Sequence, residues 1–157
     1  MRQGRERMFV LMFEKGDELV SGLEDFARKN KVLGGQVNAT GNLSSVTFGS
    51  FDSKQKRYNK TQEIRGPLQV LSLTGDIAHD KGRPRLVCHV VVAKEDGSVL
   101  GGHVMQAHVQ QLLEVVVVEA SQFYQRQYDR ESGLALLRPE PQVIGRTKRR
   151  SSGSGAS

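Results

Sequence analysis

Apolar residues change period once along this chain. Met8 to Phe13 is a short apolar run that reads as a first strand. Leu19, Val20, Leu23, Phe26 and Ala27 then recur at helical spacing, with Glu18, Glu24, Asp25 and Arg28 on the opposite side. Asp17 is the expected N-cap, because its carboxylate can accept the free N–H groups of the first turn. The helix is expected to end near Asn30, before Gly34 and Gly35. Beyond it the period falls to two. Residues 36–40, 45–51, 68–78, 86–93, 99–104 and 113–120 read as strands rich in Val, Leu and Thr. Turn chemistry separates them at Gly41-Asn42, Asp52-Ser53, Asp80-Lys81-Gly82 and Asp96-Gly97-Ser98. The pattern predicts an α+β fold: a mainly antiparallel β-sheet with one long amphipathic helix packed on it.

At 157 residues the chain suits one domain. Its charge is uneven. The formal net charge is +6, yet residues 8–140 hold equal numbers of basic and acidic side chains. The excess lies in a basic N-terminal extension, 1–7, and in a tail, 141–157, that contains Arg146, Lys148, Arg149 and Arg150 and no acid. The domain is therefore placed at 8–140. The tail passes from basic to Ser/Gly-rich, a composition that cannot bury a core and is expected to be disordered. No apolar run is long enough to span a bilayer; Val115 to Val118 is typical. A single cysteine, Cys88, excludes an internal disulfide framework and fits a reducing, cytoplasmic location.

Histidines carry most of the candidate chemistry. His89 and His103 each lie seven residues from Asp96, so a hairpin turning at Asp96-Gly97 sets them side by side. With His108 they form a candidate site for a divalent metal such as zinc; the alternative is three hydrogen-bonded histidines at a sheet or subunit interface. His79, beside a turn, reads as solvated. Lys81, Arg83 and Arg85 flank Gly82 and Pro84 in a segment similar to the core of an AT-hook, which places guanidinium groups in a narrow minor groove; the alternative is a basic hairpin turn. With Arg146, Lys148, Arg149 and Arg150 they are the candidate nucleic-acid contacts. No serine lies in a nucleophile elbow. Cys88 and His89, as strand neighbours, point to opposite faces, so no catalytic residue is assigned.

The order of motifs resembles the plants and prokaryotes conserved (PPC) domain in its stand-alone prokaryotic form. The matching stretches are 35–46 (GQVNATGNLSSV), 71–78 (LSLTGDIA), 84–92 (PRLVCHVVV), 96–104 (DGSVLGGHV), 112–119 (LLEVVVVE) and 129–134 (DRESGL). Together they cover about 8–138, and Gly101-Gly102-His103 after an Asp-Gly turn is the most specific piece. The resemblance implies a homotrimer with strands and histidines near the subunit contacts. It also implies a DNA-binding role, nucleoid-associated if realised, by analogy with plant relatives that carry AT-hooks. Many prokaryotic relatives have His-x-His on the strand that here reads Val87-Cys88-His89. A three-histidine site in this chain would need His108, a water or another subunit. Two readings follow, a DNA-associated homotrimer and a metal- or small-molecule-binding trimer, in the second case an enzyme of unspecified substrate. The second places a histidine-containing site, with Thr40 nearby, at or near the subunit interfaces. A module that only trimerises through apolar strands such as 113–118 is the third alternative.

Overall fold

The computed structural model describes residues 6–120 and 126–137. The chain forms β1 (Met8–Glu14), α1 (Leu19–Lys29), β2 (Gly34–Asp52), β3 (Arg57–Asp80), β4 (Arg83–Ala93), β5 (Val99–Glu119) and two short strands, β6 (Arg126–Tyr128) and β7 (Ala135–Leu137). The main sheet is antiparallel with the order β1-β5-β2-β3-β4. Val99–His103 of β5 also pair with β4, so β2, β3, β4 and β5 close into a ring at that end.

One expected turn is a bend within a long strand. The segments 36–40 and 45–51 are one strand, and so are 99–104 and 113–120 apart from Ala120. At Gly41-Asn42 the chain does not turn. Gly41 faces Leu113 and Leu43 faces Val109, so β5 carries three residues opposite Asn42 alone. The Asn42 carboxamide accepts from the amides of Gln111 and Leu112, at 2.9 and 3.3 Å, and so stands in for the missing ladder partner. Bulges of this kind bend strands that are too long to stay flat. The first half of β3, from Arg57 to Pro67, is polar apart from Tyr58 and Ile64; it shows no alternation and was not expected as a strand.

The helix is amphipathic, but at 11 residues it is three turns rather than long. Its N-cap is Glu18, not Asp17. The Asp17 carboxylate instead accepts from the Glu14 amide and closes the β1–α1 turn. The longer Glu18 side chain reaches the amides of Val20 and Ser21. Leu19, Leu23 and Ala27 form the buried stripe of the helix. They complete one core with Val37, Leu73, Ile77, Val90 and Val115 from the sheet. Two helix carboxylates also serve strands that part beneath the helix: Glu18 accepts from Ala107 N of β5 and Glu24 from Leu86 N of β4, both at 3.1 Å. No helix among the described residues is long and apolar enough to cross a membrane.

Candidate functional site

Strand alternation sends Leu86, Cys88, Val90 and Val92 into the core and leaves Arg85, Val87, His89 and Val91 on the outer face of β4. The hairpin through Asp96-Gly97 forms as expected, and His89 is the direct cross-strand partner of His103. The two imidazole rings lie 5.4 Å apart, edge to face. Tyr58, at the start of β3, stacks on His103 at 4.2 Å. His89 is exposed, whereas His103 is partly covered. Burial, and then the neighbouring His89, hold the His103 pKa below the ordinary imidazole value. Buried His103 Nδ1 has no hydrogen-bond partner among the described residues.

His108 is not brought to this pair. It lies five residues further along β5, on the order of 15 Å by strand rise. There its Nδ1 is 3.3 Å from Ser45 Oγ and its backbone bridges to Glu18. Among the described residues no three His, Cys, Asp or Glu side chains group to hold a metal. One chain thus offers two imidazoles, His89 and His103, where a zinc centre uses three or four protein donors. Val87, two residues before His89 on the same outer face, offers no donor. Thr40 also lies elsewhere. It lines a shallow groove of about 880 Å³ at the β2–β5 bulge, with Asn42, Gln69, Gln110 and Gln111. His79 is half-buried rather than solvated, because its Nδ1 lies 3.2 Å from the Leu33 carbonyl.

On the same outer face, Arg126 of β6 reaches back to an ion pair with Asp76 of β3 and donates to the Ala135 carbonyl at 2.9 Å. Tyr58 and Arg126 lie in segments without a periodic signal, and nothing in the alternation of 68–78 singles out Asp76, so none of the three is legible as a site residue in the sequence. Cys88 is sealed in the core. Burial, and then the charges of Glu18 and Asp76, push its thiol up to about 12, so it holds its proton at neutral pH and is no nucleophile.

The candidate nucleic-acid contacts divide in two. Lys81 and Gly82 form the two-residue loop of the β3–β4 hairpin, both at positive φ (50° and 77°), the conformation such tight hairpins demand. Arg83 pairs with Asp80, Pro84 with His79 and Arg85 with Ala78. The AT-hook-like segment is therefore built into a ladder rather than free. Lys81, Arg83 and Arg85 are exposed and make no ion pair among the described residues. Arg146, Lys148, Arg149 and Arg150 lie outside the described residues.

Comparison with known proteins fits this geometry. The Plants and Prokaryotes Conserved (PCC) domain matches residues 2–121. No curated protein matches the chain. Among solved structures, a metal-containing protein of Archaeoglobus fulgidus is 32% identical, with 83% of this chain and 92% of that chain covered and a TM-score of 0.74. A plant- and prokaryote-conserved protein of Pyrococcus horikoshii is 26% identical, over 88% of this chain and 97% of that one, with a TM-score of 0.76. A protein of Bacteroides thetaiotaomicron, described as a candidate DNA-binding protein, is 26% identical, over 87% and 98%, with a TM-score of 0.78. With the domain matched over residues 2–121 and a 32% identical structure covering 83% of this chain, the chain belongs to the Plants and Prokaryotes Conserved (PCC) domain family.

Proposed function

We propose that this protein is a DNA-associated homotrimer that holds duplex DNA by phosphate contacts. The observation that carries the reading is the β3–β4 hairpin, which presents Lys81, Arg83 and Arg85 in solvent with no ion pair among the described residues. Arg83 and Arg85 are two apart on a strand, so both guanidinium groups leave on one face. Their backbone is committed to the ladder with β3, so side chains rather than an inserted chain segment make the contact. Related structures described as candidate DNA-binding proteins support the assignment.

Self-association is supported by an apolar patch. Met8, Val10 and Met12 of β1 are 69%, 55% and 55% exposed. They pair across the ladder with Val118, Val116 and Glu114 of β5. Apart from Glu114 these side chains form an exposed apolar strip, a usual mark of a protein contact. Three copies multiply the hairpin and tail cations, so weak phosphate contacts add by avidity.

The test is a salt series of duplex binding by the protein and by the K81A/R83A/R85A variant, with solution mass measured on the same samples. The expected mass is three chains of 17.4 kDa. The expected slope of log K against log salt becomes shallower by about 2.7 for each hairpin engaged. A·T-rich and G·C-rich duplexes should bind alike. Absence of salt-sensitive binding by the unmodified protein removes the reading.

A second reading has one specific observation in its favour. His89 and His103 face each other beside Tyr58, and the Archaeoglobus fulgidus relative is a metal-containing protein. Two imidazoles from one chain leave the donor set short, so remaining donors would come from water or a neighbouring subunit. Elemental analysis of the purified protein decides it. A stoichiometric divalent metal that disappears in His103→Ala supports the site, and metal-free protein removes it.

A further inference from the structure

The β2–β3 hairpin leaves the body of the sheet. Pairing of β2 with β5 stops at Gly49 and His103, and pairing of β3 with β4 stops at Gln69 and Ala93. Beyond those points β2 and β3 pair only with each other, as far as Asp52 and Arg57. The tip of this two-stranded arm is strongly basic: residues 54–60 contain Lys54, Lys56, Arg57 and Lys60 and no acid.

The acids flanking the tip, Asp52 and Glu63, make no ion pair with Lys54 or Arg57. The Asp52 carboxylate is spent inside the turn, where it accepts from the amides of Lys54 and Gln55 at 2.8 and 2.9 Å. Glu63 pairs with Lys60 and Arg65 further along β3, where β2 is still paired with β5. Lys56 donates to the Arg130 carbonyl at 3.0 Å, which ties the arm to the β6–β7 segment and steadies it. Lys54 and Arg57 are exposed and have no ion pair among the described residues. Tyr58 stacked on His103, and Phe51 set edge to face on Tyr58 at 5.2 Å, hold the base of the tip to β5.

We infer that this arm is a second phosphate-binding element, which grips duplex nucleic acid through Lys54 and Arg57. It lies at the opposite end of β3 from Lys81, Arg83 and Arg85. A two-stranded ribbon is narrow enough to follow the major groove, with tip cations on the flanking phosphates. The inference rests on the DNA reading above and adds a contact that the hairpin alone does not provide.

The test uses the full chain and its K54A/R57A variant on one duplex across a salt series. K15A/K94A, two exposed lysines elsewhere, serves as control. Both altered side chains in the variant are solvent-exposed, and an unchanged thermal melt verifies the fold. The expected result is a slope shallower by about 1.8 and roughly 50-fold weaker binding at 0.1 M salt for one engaged arm. The control should match the unmodified protein. If the protein binds DNA and K54A/R57A binds equally well, the arm is overturned while the DNA reading stands. If the protein binds no duplex, both fall. If K54A/R57A loses binding to phosphatidylserine vesicles but not to DNA, the partner is a lipid surface and the inference is wrong.

Discussion

Replacing Glu18 by alanine is expected to destabilise the protein by about 2–4 kcal/mol. The estimate joins two losses. An N-cap removed from a helix costs about 0.5–2 kcal/mol. A strand amide left without its acceptor under a packed helix costs about 1–3 kcal/mol. Glu18 fills both roles, since its carboxylate accepts from Val20 and Ser21 in α1 and from Ala107 in β5. The Ser21 hydroxyl at 2.9 Å holds the carboxylate in place. The change should lower the melting temperature by roughly 5–12 °C at fixed protein concentration. Glu18→Gln keeps a carbonyl oxygen and should lose less than half as much. A melt of Glu18→Ala within about 2 °C of the unmodified protein would show that water takes over at Ala107 and that the bridging role is wrong.

Gly75→Val is expected to cost more than about 3 kcal/mol and to cut soluble yield sharply. Gly75 faces the core side of β3, between Leu73 and Ile77, and pairs with Cys88 of β4. A Cβ at that position would stand 2.5 Å from Cys88 Cβ and 2.8 Å from Cys88 Cα. Backbone and a buried side chain cannot both yield, because Cys88 is itself packed among core residues. The glycine thus lets β3 and β4 approach closely and holds His89 in register on the other face. Thermal melts and expression level check it. A Gly75→Val protein that melts within a few degrees of the original would mean that β4 shifts freely. The fixed geometry argued for His89 and His103 would then fail with it.

Much of the local order was legible in the sequence because it is set by neighbours along the chain. The helical stripe of Leu19, Leu23 and Ala27 needs only a 3.6-residue period. The Asp96-Gly97 turn needs only a residue that tolerates positive φ, and that turn alone places His89 opposite His103. Even so, one expected turn is a bulge in the structure. Gly41-Asn42 looks like a turn, yet whether a glycine reverses a strand or merely bends it depends on what lies alongside. Here that is a β5 segment some seventy residues away. The polar half of β3 was missed for the same reason. Its strand character comes from pairing with β2, not from an apolar alternation of its own.

Charge shows the same division. Averaged over residues 8–140 the cations and acids cancel, which hid the basic arm. Folding separates them, because Asp52 bonds the turn amides and Glu63 pairs with Lys60 and Arg65 while Lys54 and Arg57 make no ion pair among the described residues. By itself the sequence determined the family, the helix, the turn chemistry and the facing pair His89 and His103, all written within a few residues or a single hairpin. Only the tertiary structure decided that Glu18 caps both helix and sheet, that Tyr58 covers His103, that Arg126 pairs with Asp76 and that His108 stands apart. Those contacts join positions 45 to 89 residues apart or depend on how bulges bend long strands. No local period encodes such a meeting; it follows from the path of the closed sheet.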